Sequence, residues 1–390
     1  MRDDDTGAAP ARRRDAAGLP PLWLGCLVAL LTVVGVVVSV RDGSSATAEA
    51  AAPGSSGTTA GTSTSDTSTA GTIAPSSSTP ADTTPATSPA TSTPVDPVLV
   101  AGASIPPLAD LVRQVGGGRV EVVSVVPQGV DGHTYEPTPS DVADLARADA
   151  IFVASVDLNP SVTRTAQANL RPGAITVDLM AATVPEVEVI ADRTHSHGSG
   201  GAHSHANVHV WTDPLIALRW VDEIRQQLSL LDPEGADQYA TNAAAYSARL
   251  QALHEATVAA TATVPEAART LVVYHDSWSY FGRTYGYRVL GALQAADFAE
   301  PSAAEVRDMV EQVRAAGVPA FFGAAVFPTE VLERVSEEAG VPYVADLADD
   351  ELPGDPGDAE HGYLGMMVAN VRHIVTSLGG DASALDGLVP

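Results

Sequence analysis

The 390-residue chain carries 48 acidic side chains against 21 basic ones, all arginine, for a formal net charge of −27. That balance excludes a nucleic-acid partner, which demands a basic surface; surplus carboxylate mostly keeps a protein soluble, although it also gathers cations. The single cysteine, Cys26, rules out a disulfide framework and a thiolate metal cluster, so any metal site must be built from His, Asp and Glu.

The N-terminus has three parts. Arg12, Arg13 and Arg14 precede residues 22–40, a run of nineteen without a charge. As a helix that run would span about 28 Å, enough for a bilayer core. The arginines should stay cytoplasmic, which places the chain beyond residue 41 outside. Two outcomes fit: an uncleaved signal anchor, favoured by the length of the run, or a signal peptide cut after Ala46-Thr47-Ala48. Cys26 sits at the start of the apolar run, where a lipidation site would be useless. Residues 43–97 are Ser, Thr, Pro, Ala and Gly with almost no large apolar side chain. Such a segment buries too little to offset its ordering entropy and reads as a disordered tether spanning roughly 40 Å. Glycosylation of its hydroxyls stays open.

From Val98 onward, short apolar segments alternate with amphipathic ones. Strands are expected at 98–101, 120–126, 151–154, 175–179, 271–274, 320–323 and 343–346, with helices between them. That alternation predicts an α/β fold with parallel sheets covered by helices. Asp213-Pro214 opens one helix, and Ser302 with Glu305 forms a capping box for another ending near Ala316. Asp276 is expected to cap the helix carrying Trp278, Phe281 and Tyr285. Gly317 and Gly340 each close a helix before a Val-Pro and a strand. From Asp232-Pro233, Tyr239, Ala243, Tyr246, Leu250, Leu253 and Thr257 recur at helical spacing with no break until Pro265. A helix of that length, roughly 45 Å, is too long for one small lobe and predicts a rigid spar. The expected organisation is therefore a membrane segment (1–42), a tether (43–97), an N-terminal lobe (98–231), a spanning helix (232–265) and a C-terminal lobe (266–390).

Ten histidines are spread unevenly. His195, His197, His203 and His205 lie in HSHGSGGAHSH, where Gly, Ser and Ala cannot form a core. The loop reads as accessory metal capture suited to zinc, nickel or copper, against the alternative of a soluble spacer of accidental composition. His133, His209 and His275 each follow an expected strand, where open α/β sheets bind ligands. Any one of them is more often a packed or capping histidine; together, beside the His-rich loop, they point to metal. A carboxylate should complete the set, and Asp346, Asp349, Asp350 and Glu351 are the candidates. His254, His361 and His373 read as structural or surface residues.

GVDGHTYEPTPSD, NVHVWTDP, VVYHDSWSYFGRTYGY and LADDEL followed by GYLGMMVANV resemble, in order, the zinc- and manganese-type solute-binding proteins of ABC importers, high-affinity zinc-uptake receptors among them. The resemblance covers Val98 to Leu388. It implies two Rossmann-like lobes bridged by one long helix, with metal in the cleft between them. It implies His133 and His209 as ligands from the first lobe and His275 from the second, where manganese members tend to have Glu. Through the family's Leu-x-x-Asp-x-Leu pattern, matched at Leu347, Asp350 and Leu352, the resemblance implies Asp350 as the fourth ligand, with Asp346 in reserve. Gly132 departs from the Pro often found before the first His, and Gly323 from a common Glu.

Three imidazoles and one carboxylate suit a tetrahedral zinc, with manganese, which prefers more oxygen, the alternative ion. The expected partner is a membrane permease of an ABC importer, reached by a monomeric receptor held outside the membrane, or secreted if the signal is cut. A metal-storage or cell-adhesion surface protein is the competing class. An enzyme is not expected: there is no HExxH pair, no GxSxG elbow and no evident general base.

Overall fold

The computed structural model describes residues 96–191, 206–290, 301–324, 326 and 329–389. The expected membrane segment, the tether and the four-histidine loop lie outside the described residues. Among the described residues no helix is long and apolar enough to cross a membrane.

The elements run β1 (Leu99–Ala103), α1 (Pro106–Gly116), β2 (Val120–Ser124), α2 (Pro139–Arg147), β3 (Ala150–Val153), α3 (Pro160–Asn169), β4 (Ile175–Asp178), α4 (Leu179–Thr183) and α5 (Pro214–Leu231). Then come α6 (Ala236–Thr263), β5 (Thr270–Val272), α7 (Ser279–Tyr285), β6 (Arg288–Leu290), α8 (Ala303–Ala316), β7 (Phe321–Phe322), α9 (Thr329–Ala339), β8 (Tyr343–Val344) and α10 (Tyr363–Ser377). The first sheet has the order β2-β1-β3-β4, all parallel. In the second half β5 pairs with β6 and β7 with β8, both parallel, and a Val273–Phe322 bridge joins the pairs. The resulting order β6-β5-β7-β8 repeats the topology of the first lobe. Strands such as Ala150–Val153 are apolar and buried throughout, as parallel strands covered on both faces must be.

Each expected strand is present, β7 and β8 shortened to two residues each. β6 is an addition to the expected set, because Arg288-Val289-Leu290 is too short to show a period. The Ser302–Glu305 capping box forms as expected, and Gly317 and Gly340 take the left-handed conformation at φ 62° and 72°. One cap differs. The helix after His275 starts on Trp278 without a side-chain cap, and Asp276 instead accepts the Ser279 hydroxyl at 2.6 Å.

The long helix α6 has 28 residues, about 42 Å at 1.5 Å per residue. It is preceded by a 3-10 turn over Pro233–Gly235 and stops at Val264, ahead of Pro265. Tyr239, Ala243, Tyr246, Leu250, Leu253 and Thr257 form its buried face, as their spacing implies. Its start is fastened by Asp232, which accepts from Arg119 Nε at 2.8 Å and from Tyr239 Oη at 2.7 Å. The last helix, α10, packs back against α1 and α6. Buried Asp110 of α1 accepts the Tyr363 backbone N–H at 2.8 Å, which ties the two ends of the fold together. The described residues thus form two parallel α/β lobes joined by one long helix.

Candidate metal centre

Four segments bring the site together: those carrying His133 and His275 follow β2 and β5, the one carrying Asp350 follows β8, and the one carrying His209 comes after α4 rather than directly after a strand. The loop after β2 carries His133. Asp131 Oδ1 accepts the His133 backbone N–H at 2.9 Å and Asp131 Oδ2 the Thr134 hydroxyl at 2.8 Å, closing a tight Asx turn. Buried Asn159 pins the same loop by donating to the carbonyls of Gly132 and Tyr135 at 2.7 and 2.8 Å. Thr138 and Asp141 form a capping box that starts α2 directly behind it.

His209 precedes a 3-10 turn over Val210–Thr212 that leads to α5, which Asp213 caps through the Leu215 N–H. Its ring is held from behind: Nδ1 lies 3.1 Å from Asn207 Oδ1, which also accepts the His209 backbone N–H at 3.0 Å. An amide oxygen only accepts, so Nδ1 carries the proton and Nε2 presents its lone pair to the cleft. Asn207 Nδ2 reaches across to the Asp276 carbonyl at 2.6 Å, linking the segment before His209 to the segment after His275.

His275 follows β5. The three Nε2 atoms converge: His133 to His209 is 2.9 Å and His275 to His209 is 3.0 Å, with ring centroids 4.7–5.0 Å apart. His209 and His275 are only 4% and 5% exposed, and His133 is half-buried. Three imidazole nitrogens that meet among buried groups are the arrangement a borderline divalent cation takes.

The segment after β8 closes the site. Gln128 donates to the Leu352 carbonyl and accepts its N–H at 3.0 Å, while Gly132 N–H donates to Asp350 Oδ2 at 3.0 Å. Asp350 is 5% exposed, and its Oδ1 is buried with no hydrogen-bond partner among the described residues. Burial pushes the Asp350 carboxyl well above the usual carboxylate range. Asp349 and Asp131 push the same way, against the Gly132 N–H. Burial also raises Asp349, with His275 and Ser277 opposing. A cation would relieve this frustration directly, since buried like charges otherwise repel and are poorly solvated.

Of the residues singled out from the sequence, the structure therefore gathers His133, His209, His275 and Asp350. Asp346, the reserve, is exposed on the far side of Leu347 in the chain and belongs to neither cluster of potential ligands found among the described residues. His195, His197, His203 and His205 lie outside the described residues. His254 pairs with Tyr285 Oη at 3.0 Å and His361 with the Pro353 carbonyl at 3.0 Å, both structural. One residue escapes the sequence reading: Asp131 places a carboxylate oxygen within 4.8 Å of ligand atoms of His133 and Asp350. The two departures from the family motif also have physical reasons. A side chain at Gly132 would put its Cβ 2.6 Å from Asp350 Oδ2, and one at Gly323 would meet Tyr343 Oη at 2.5 Å.

Residues 102–377 match the family described as zinc-uptake complex component A, periplasmic. A manganese-binding lipoprotein of Halalkalibacterium halodurans is 30% identical over 271 residues, covering 70% of this chain and 85% of its own. A manganese ABC transporter substrate-binding lipoprotein of Streptococcus pneumoniae is 28% identical, covering 70% of this chain and 86% of its own. The structure of the periplasmic zinc-binding protein TroA from Treponema pallidum superposes with a TM-score of 0.64 at 26% identity, covering 72% of this chain and 99% of that one. Fold and site together define a metal-binding solute receptor of the ABC-importer class, not an enzyme. The chain belongs to the zinc-uptake complex component A periplasmic family, and its partners are a metal ion and a membrane permease.

Proposed function

We propose that this receptor captures zinc outside the membrane, on His133, His209, His275 and Asp350, and delivers it to its permease. The observation that carries the reading is the convergence of three imidazole Nε2 atoms at 2.9 and 3.0 Å. Nitrogen donors dominate that set, and among the ions handled by related receptors zinc is better suited to imidazole than manganese. The buried Asp350 Oδ1, which has no hydrogen-bond partner among the described residues, supplies the fourth ligand and part of the compensating charge. Four protein ligands leave zinc no open position for an activated water, which fits carriage rather than catalysis.

His195, His197, His203 and His205 act as accessory capture. Several weak sites a few residues before His209 in the chain raise the local zinc concentration without themselves forming the tight site. The N-terminal apolar run holds the receptor, a monomer, at the outer face of the membrane, and the tether lets it reach the permease. Release happens when contact with the permease tilts one lobe or shifts the 349–352 segment, since ligands come from loops of both lobes.

Manganese is the second reading, favoured by the names of two of the relatives. Titrating each ion into the purified full chain, beside elemental analysis, decides between them. Tight zinc and much weaker manganese supports zinc capture; the reverse order makes the protein a manganese receptor. Several equal sites would favour metal storage or adhesion instead.

A further inference from the structure

The segments that carry His209 and His275 belong to different lobes, yet buried hydrogen bonds stitch them together without using any atom that faces the metal. Thr212, fully buried, ends the 3-10 turn after His209. Its hydroxyl lies 2.9 Å from the His209 carbonyl and 2.9 Å from the carbonyl of Ser277, two residues beyond His275. A hydroxyl has one proton to donate, so the two carbonyls share it. Tyr280, also fully buried, donates its phenol O–H to the Asn207 carbonyl at 3.0 Å and accepts the Ile190 N–H at 3.1 Å. Asn207 Nδ2 returns to the Asp276 carbonyl at 2.6 Å, and the Thr284 hydroxyl donates to Asp213 Oδ2 at 2.5 Å. Thr212–Ser277, Tyr280–Asn207, Asn207–Asp276 and Thr284–Asp213 thus all cross from 207–213 to 276–284.

We propose that Thr212 and Tyr280 are positioning residues that fasten His209 to His275 across the lobe boundary before zinc arrives. The proposal rests on the receptor reading and deepens it, because it makes two of the imidazoles a preassembled pair. Each bond of the clasp ends on a backbone carbonyl or on Asp213, so the clasp needs no ion to form. Ligands already ordered in the folded chain lose less freedom when the metal binds, which tightens binding without any new contact to it. Outer partners that hold a ligating imidazole in place act on metal affinity in this way. A tilt of one lobe that separated His209 from His275 would have to break all four bonds. Their donors and acceptors are largely buried, where an unmade hydrogen bond costs more than it does in water. The pair therefore stays together while the rest of the site adjusts around it.

Hydrogen exchange on the zinc-stripped full chain tests the clasp directly. The Ile190 N–H, held by Tyr280, and the His209 N–H, held by Asn207, should exchange as slowly as those of the buried strand Ala150–Val153. Exchange as fast as at the exposed residues 128 and 129 would overturn the proposal. The positioning role is read from a substitution pair. Thr212→Val keeps the β-branched shape but removes the hydroxyl; it should weaken zinc about tenfold and shift the visible absorption of the cobalt(II)-loaded chain. Thr212→Ser, which keeps the hydroxyl, should recover both. A Thr212→Val chain that melts earlier yet binds zinc and cobalt(II) as before would make Thr212 a purely structural contact and refute its role. Should Thr212→Val not fold, Tyr280→Phe, which loses only the phenol hydroxyl, is read in the same way. Absence of tight zinc binding by the unaltered chain would remove the receptor reading, and exchange in the zinc-free chain would still decide whether the clasp stands.

Discussion

Asn207 Oδ1 accepts both the backbone N–H and the ring Nδ1–H of His209, at 3.0 and 3.1 Å, and so determines which nitrogen of that ring faces the cleft. The same amide donates to the Asp276 carbonyl at 2.6 Å. One buried side chain thus orients the central imidazole and ties together the segments that carry His209 and His275. Removing an outer partner of this kind typically costs roughly 10- to 100-fold in metal affinity. Asn207→Ala should therefore weaken zinc by about that range, read by competition with a chelating dye. It should also lower the stability of the metal-free protein by about 1–3 kcal/mol, because the Asp276 carbonyl loses a buried donor.

Buried Asp350 opposes folding whenever it is charged. Burial, then Asp349 and Asp131, raise its folded-state proton affinity above that of the unfolded chain. A carboxyl raised in this sense makes the metal-free protein gain stability as pH falls from above the folded value toward the unfolded one near 3.8. Bound cation should reverse that trend. Asp350→Asn, whose amide oxygen still accepts from Gly132, is expected to raise the melting temperature of the metal-free chain at pH 7 while weakening zinc by more than about 100-fold. A variant that is both less stable and unchanged in affinity would remove Asp350 from the site.

Gly132 is required by a close approach and not by an unusual backbone angle. Gly132→Ala keeps the N–H but sets a methyl 2.6 Å from Asp350 Oδ2. The carboxylate must shift, at a cost of about 1–3 kcal/mol typical of overpacking. Zinc affinity should fall together with the melting temperature, and the two are separable by thermal melts with and without the ion.

At the foot of α6, Asp232 is the case opposite to Asp350. Burial pushes its carboxyl up, but hydrogen bonds from Tyr239 and Arg119 outweigh burial and the net shift is down. Its contribution is therefore present above the unfolded value near 3.8 and is lost as pH falls through the lower folded value. Tyr239→Phe removes one of these donors and should destabilise the protein by about 1 kcal/mol at pH 7. That difference should narrow in denaturant titrations below about pH 4.

Much of this architecture is legible in the chain itself, for identifiable reasons. The spanning helix is visible because six of its buried residues recur at helical spacing. His133 and His275 stand out because imidazoles following strands in an α/β pattern sit where ligands bind, whereas His209, expected after a strand too, instead follows α4 and reaches the site through the turn that leads into α5. Asp350 cannot be chosen from Asp346 and Asp349 by charge alone; motif resemblance selects it, and only its contact with Gly132 N–H gives that choice a physical cause. Asp131 is invisible because its partner in space, Asp350, is 219 residues away and its local role is that of an ordinary turn. Asn207 is hidden likewise, as a polar residue in a short loop segment whose burial depends on the second lobe. The return of α10 to α1 through Asp110 and Tyr363 is long-range packing that no local period encodes.

The central claim is that the tight zinc site is the cleft and not the histidine-rich loop. The most direct test is a zinc titration of the full chain with residues 195–205 deleted. One tight site per chain, lost on adding His275→Ala, is the predicted result. A deleted chain that folds but binds no zinc tightly would contradict the account and assign the metal to the loop.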